Sequence, residues 1–166
     1  MKKTKSLTSV GVVVLITVSA FLFGNALTSC ASNPNDEEKS IVKAFFHEGY
    51  ETHNYDYVME CVADNYIDHS PAAARSNADA VGILKIVEGQ FSDLKITFLD
   101  IFAEGDMVAT RIRFEGIHSG SCQGVPATGR HISFEALENF RVVNGKIVES
   151  WGYWPDDDIR RQLSGN

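Results

Sequence analysis

The apolar residues of this chain change their period once, near Asp93. Before that point they recur at helical spacing, and after it they alternate. Ile41, Val42, Phe45, Phe46 and Tyr50 predict a helix that starts at Asn33-Pro34, Asn35 or Asp36 and runs to about His53, with Asp36, Glu37 and Glu38 at its positive end. Asn54-Tyr55-Asp56 breaks it, residues 57–62 read as a second short helix, and Ser70-Pro71 ends the segment that follows. Ser76 or Asn77 is placed to cap a third helix carrying Val81, Leu84, Ile86, Val87 and Phe91. From Leu94 the alternation Leu94, Ile96, Phe98, Asp100 predicts a strand, closed by the turn Glu104-Gly105-Asp106. Further strands are predicted over 107–116 and 131–143, separated by a glycine-rich loop over 119–129. Asn144-Gly145 is a strong hairpin signal leading into a fourth strand over 146–154. Pro155 and three aspartates open a short last helix over 159–163. Helices first and strands afterwards predict an α+β domain, its helices packed on one face of a curved antiparallel sheet.

The N-terminal residues follow a different pattern. Lys2, Lys3 and Lys5 precede a largely apolar, uncharged stretch from Val10 to Leu27 that closes on Leu27-Thr28-Ser29-Cys30. This is the layout of a secretory signal, and its last four residues resemble the bacterial lipobox. The resemblance implies cleavage before Cys30 and lipid on the Cys30 thiol. The alternative is an uncleaved spanning helix, since the apolar run approaches spanning length. The expected organisation is therefore a signal peptide over 1–29, a polar tether over 30–37 and one domain over 38–166. The expected location is the cell envelope, lipid-anchored. Ala31 follows the cysteine where an inner-membrane retention signal would use Asp, which favours the outer membrane.

The chain carries 15 basic and 22 acidic side chains, a formal charge of −7, and the signal segment removes only lysines from that balance. Such acidity argues against a nucleic-acid partner, whose phosphates need a basic patch, and against electrostatic adhesion to anionic lipid. Two cysteines, Cys61 and Cys122, remain beyond Cys30. They read as two free thiols, with a disulfide as the alternative open to an exported protein. The five histidines include no short-spaced pair beyond His47 and His53, so no metal site is expected. No glycine-rich phosphate loop and no nucleophile elbow is visible.

The strand over 131–143 holds the most suggestive chemistry. Ile132, Phe134, Ala136, Glu138, Phe140 and Val142 share one face, because alternate strand residues do. A carboxyl group on an otherwise apolar face either finds water or a partner such as Arg111 or Arg113, or stays protonated with a raised pKa. The second outcome suits a general acid or base. Tyr66, Asp68 and His69 cluster after the second helix, where they could serve a pocket mouth or merely a turn. His118 sits at a strand end. Alternation puts Trp151 and Tyr153 on one face and Trp154 on the other, so one set could wall a pocket and the other serve a dimer interface, with core packing the alternative for both.

Six stretches occur in an order that resembles the SnoaL-like polyketide cyclases, also called ester cyclases. They are residues 64–71 (DNYIDHSP), 103–109 (AEGDMVA), 116–120 (GIHSG), 124–130 (GVPATGR), Phe140-Arg141 and 145–151 (GKIVESW). The similarity spans roughly residues 38–164. It implies a nuclear-transport-factor-2-like fold, in which three helices close a cone over a strongly curved sheet around an apolar cavity. It also implies intramolecular aldol cyclisation without a cofactor, an acid on an inner strand moving the proton. That acid falls on Glu138, where many relatives carry Asp. On this reading Glu138, His118 and His69 are the catalytic candidates, and Tyr66, Trp151, Phe134 and Phe140 the substrate-binding ones. The expected partner is a small hydrophobic carbonyl compound, and the expected assembly is a homodimer through the outer sheet face. A non-catalytic binding protein for a hydrophobic ligand, or an interaction module, remain the alternatives.

Overall fold

In a computed structural model of the chain, residues 34–165 are described; the signal segment and residues 30–33 of the tether, Cys30 included, lie outside them. Helix α1, Pro34–Phe46, has Asp36 and Glu37 in its first turn and Lys43 in its last, each matched to the local helix-end charge. It widens into a π-helical turn, His47–Glu51, which the sequence had merged into one α-helix. Asn54 caps α2, Tyr55–Cys61, accepting from the Tyr57 amide at 3.3 Å. Ser76 caps α3, Asn77–Gln90, accepting from the Asp79 amide at 3.1 Å. The last helix, α4, Asp156–Ser164, buries Ile159 and Leu163. Its Gln162 side chain bonds both the amide and the carbonyl of Ser133, at 2.8 Å each.

Five strands form one sheet in the order β1-β5-β4-β3-β2. They are β1, Val62–Asp68; β2, Phe91–Glu104; β3, Met107–His118; β4, His131–Val143; and β5, Lys146–Tyr153. β2 to β5 form the expected antiparallel meander, with Asn144 and Gly145 at φ +51° and +76° in the hairpin between β4 and β5. Positive φ at both central residues is what that two-residue turn requires.

The sheet departs from the sequence pattern at β1 and in β2. The sheet is mixed, because β1 runs parallel to β5. The sequence pattern there predicts the end of a helix and a loop beyond it. Asp64, Asn65 and Asp68 interrupt any apolar alternation there, and the register slips between Val62 and Ile67. The partner that makes this segment a strand lies some 80 residues downstream, beyond the reach of a local window. The second departure is a change of face in β2. A bulge between Phe98 and Asp100 turns Ile101 and Ala103 toward the core and leaves Asp100 and Phe102 outside. One extra residue exchanges the two faces of everything beyond it.

The helices cover the inner face of the sheet. Phe46 is fully buried, stacked on Tyr50 at 5.7 Å between ring centroids and edge-on to Phe45, Phe98 and Phe140. The loop after β3 docks where α3 meets β2, with the amides of Ser119 and Gly120 both on the Gln90 carbonyl. A Cβ on Gly120 would overlap the Gly89 carbonyl, so only glycine fits this approach. Cys61 and Cys122 are free and buried, and burial pushes the Cys61 thiol up to about 11.

Candidate active site

A cavity of about 480 Å³ lies between the helices and the inner face of β1, β5 and β4, within the usual range for a small-molecule site. Phe45 and Tyr50 close it from α1 and the π-helical turn, and Ala80, Ile83, Leu84 and Val87 from α3. β1 supplies Tyr66 and Asp68, β4 supplies Glu138, and β5 supplies Gly152, with Trp154 just beyond its end. The strand register assembles the polar group. Asp68 pairs with Ser150 across the parallel β1–β5 ladder, and Glu138 pairs with Gly152 across β4–β5.

Glu138 shares its face with Ile132, Phe134, Ala136, Phe140 and Val142, all buried, as the alternation predicted. It is 9% exposed, and its Oε2 has no hydrogen-bond partner among the described residues. Both arginines that had been candidate partners lie on the outer face. Arg111 pairs with Asp100 and Glu135, and Arg113 with Glu135. With no cation among the described residues to hold its charged form, burial raises the Glu138 pKa to about 8; the negative charge of Asp68 adds to the rise and a hydrogen-bonding contribution from Ser150 opposes it.

Asp68 is buried and fixed. Its carboxylate accepts from the Ser70 amide and the Ser70 hydroxyl, each at 2.7 Å, and more weakly from Ser150 at 3.4 Å. The Tyr66 and Ser150 hydroxyls are hydrogen-bonded at 2.5 Å. Tyr50 lines the cavity with no hydrogen-bond partner for its hydroxyl among the described residues. Burial first, then the charge of Glu138, raises the Tyr50 pKa well above normal, and burial also raises that of Tyr66. Both phenols are therefore protonated donors at neutral pH. Gly152 leaves room for this arrangement: a Cβ there would sit 2.9 Å from the Trp154 indole nitrogen and 3.6 Å from the Glu138 carboxyl carbon.

The other candidate residues fall in different places. His69 and Trp151 reach the cavity rim, but their rings stack on each other at 4.8 Å, and His69 Nε2 faces Glu149 at 2.9 Å. His118 is fully buried at the far end of β3, against Phe91, with Nδ1 on the Thr128 hydroxyl at 2.9 Å. It does not line the cavity, because the odd-even alternation of β3 places it on the inner face four pairs of residues beyond Thr110, the residue opposite Glu138. Phe134 and Phe140 are core residues beneath the cavity wall, packed on Phe114 and on Phe45 and Phe46. Tyr50, Ser150, Gly152 and Trp154 complete the site, and Asp68 joins Glu138 as a second acid. The signals for them were weak, since they depend on β1 being a strand and on which face β5 turns inward. Among the described residues, no group of three metal-ligating side chains converges.

The family model for the SnoaL-like polyketide cyclases matches residues 40–163. Among characterised proteins, DauD of Streptomyces sp. strain C5, an aklanonic acid methyl ester cyclase, is 28% identical over 114 residues, covering 66% of this chain and 70% of that protein. Among solved structures, IdmH of Streptomyces antibioticus, assigned as a polyketide cyclase, aligns with a TM-score of 0.69 and 27% identity over 76% of this chain and 98% of that one. TsrD of Streptomyces laurentii shares the fold at a TM-score of 0.72 and 23% identity, over 79% and 97% of the two chains.

Proposed function

Because this chain belongs to the SnoaL-like polyketide cyclase family, we propose that its cavity performs cofactor-free acid/base chemistry of the aldol-cyclase or isomerase type on a small, mostly apolar carbonyl compound. The observation that carries this reading is Glu138, a buried carboxyl group with an unpartnered oxygen on the wall of a ligand-sized cavity. In its ionised form Glu138 takes a proton from the carbon next to a carbonyl. The electron pair of that C–H bond moves onto the carbonyl oxygen as an enolate. The Tyr50 hydroxyl, without a hydrogen-bond partner among the described residues, donates to that oxygen, and the Trp154 indole N–H beside Gly152 is the second donor within the same cavity. The enolate carbon then bonds to a second carbonyl carbon of the same molecule, and the alkoxide so formed recovers the proton from Glu138. No atom is gained or lost, so no co-reactant is needed. Apolar side chains from α3 form one wall of the cavity, and the low local polarity beside them strengthens each of these interactions. Asp68 sets the electrostatics of Glu138 and, held by Ser70, does not itself reach for the proton.

This reading is tested with the purified domain and a small cyclic β-keto ester in heavy water. Deuterium is expected to enter the carbon next to the carbonyl faster than in a buffer control, followed by proton NMR. Exchange at the buffer rate overturns the catalytic reading and leaves a binding pocket.

We further propose that Cys30 anchors the domain to the cell envelope by lipid. The support is the basic start, the apolar run and the small residues before Cys30. No helix among the described residues is long and apolar enough to cross a membrane. Cys30→Ala is expected to abolish labelling by a fatty-acid analogue and to move the protein from the membrane to the soluble fraction. Undiminished membrane association of that variant contradicts the anchor.

A homodimer through the outer sheet face completes the proposal. Phe102, Leu137 and Tyr153 are more than half exposed there, beside the ion-paired ladder of Asp100, Arg111, Glu135 and Arg113. Sedimentation equilibrium at tens of micromolar, roughly where weak dimers still form, is expected to show twice the monomer mass, and Leu137→Lys, which unlike a change at Tyr153 leaves the cavity lining intact, to return the monomer.

A further inference from the structure

The cavity gathers oxygen atoms without a cation. Glu138, Asp68, Tyr50 and Tyr66 are buried around it, and the charge of Glu138 or Asp68 disfavours ionisation of each of the two tyrosines. Asp156 at the start of α4 adds a third carboxylate to the lining. Among the described residues, no lysine or arginine lines the cavity. Its one histidine, His69, is turned to Glu149. Arg111, Arg113 and Arg141 are ion-paired on the outer face, and the exposed Arg75 bonds the main-chain oxygens of Asp68 and Ala74 instead of a carboxylate. Asp68 has its oxygens occupied by Ser70, whereas Glu138 Oε2, in a side chain more than nine-tenths buried, has nothing. A buried polar atom without a partner is costly, and the group that suits this one carries N–H donors and positive charge.

We propose that the cavity selects a ligand bearing a protonated amine, which seats between Glu138 and Asp68 with its apolar remainder against Phe45, Leu84 and Val87. The inference concerns the ligand's charge and rests on the cavity being the substrate site; it does not depend on turnover. A cation at this position favours the ionised form of Glu138. The empty cavity holds Glu138 mostly protonated at pH 7, since its pKa is raised to about 8. Seating the amine therefore expels the Glu138 proton to solvent. Substrate charge thereby switches Glu138 into the form that the proposed reaction needs as a base. A free carboxylate at the same place meets three acids and no counter-charge, so anionic ligands are rejected.

The test compares three ligands of similar shape, benzylammonium, benzyl alcohol and benzoate, by isothermal titration calorimetry on the wild-type domain at pH 7. Benzylammonium is expected to bind at least tenfold more tightly than the alcohol, and benzoate not at all. Repeating the titration in buffers of different ionisation enthalpy is expected to show close to one proton released per benzylammonium bound, and none for the alcohol. Glu138→Gln is expected to remove the proton release and most of the preference, and Asp68→Asn to weaken the preference and reduce the proton release, because the Asp68 charge helps Glu138 to hold its proton. Equal binding of amine and alcohol overturns the inference while leaving the cavity a ligand site. Failure of benzylammonium to bind, tight binding of benzoate, or a preference without proton release overturns it too. The deuterium-exchange assay decides the catalytic reading separately, because its β-keto ester is uncharged.

Discussion

Glu138→Gln is expected to slow deuterium exchange next to the carbonyl by about 10²- to 10⁴-fold, the usual contribution of a positioned general base. Gln keeps the shape and volume of Glu but has no titratable proton. The Thr110 hydroxyl bonds the main-chain oxygen of residue 138, at 2.8 Å, so the strand contact survives the substitution. The wild-type rate should also carry a signature in pH. Only the carboxylate can accept a proton, and with the pKa near 8 about one tenth of the side chain is ionised at pH 7. Exchange should therefore rise close to tenfold per pH unit below about 8 and level off above it. The stability of the protein should move the opposite way. The folded state holds the Glu138 proton up to about pH 8, whereas the unfolded chain releases it near the ordinary value of 4.5. Between those values the unfolded chain binds fewer protons, so this group's contribution to stability is full below 4.5 and is lost as pH rises through 8. In the Gln variant that loss is absent. Melting temperature measured from pH 4.5 to 8 should fall less in Glu138→Gln than in wild type, and parallel curves in the two proteins would contradict the assignment.

Phe46→Ala is expected to be the most damaging substitution for folding, at about 3–5 kcal/mol. The ring has no exposed surface and meets Phe45, Tyr50, Phe98 and Phe140. It joins α1, the π-helical turn, β2 and β4 in one cluster, so no single element can close the hole by shifting alone. The denaturation midpoint should fall with an unchanged slope, the mark of lost stability in place of a changed unfolded state. Tyr50 leans on Phe46, so its hydroxyl loses its fixed position as well. Exchange by the fraction that remains folded should drop, and Phe46→Leu, which refills most of the volume, should recover much of both effects.

The elements of this protein were legible where local physics decides them. Asn144-Gly145 specifies its hairpin without help, and Ser76 specifies the start of α3. On β4 the exact two-residue period put Glu138 among five apolar residues, and the structure places all six on the buried face. The same reasoning failed on β2, because a bulge at Phe98–Asp100 changes parity with no mark in the sequence. It missed β1, whose hydrogen bonds come from β5.

Sequence by itself determined the order of the elements other than β1 and the π-helical turn, the inward acid and the α+β class, because capping, turn geometry and side-chain alternation act over a few residues. Tertiary structure alone decided the company that acid keeps. Whether Arg111 and Arg113 neutralise Glu138 depended on which face of β3 they take, and they face outward. Asp68 and Ser150 become neighbours only through the parallel β1–β5 ladder. His118 and Glu138 lie on the same sheet face yet at different ends, a separation set by strand register. A carboxyl group's pKa depends on the charges and solvent within a few ångströms of it, and those are set by pairings between residues up to about 80 positions apart, which no stretch of sequence contains.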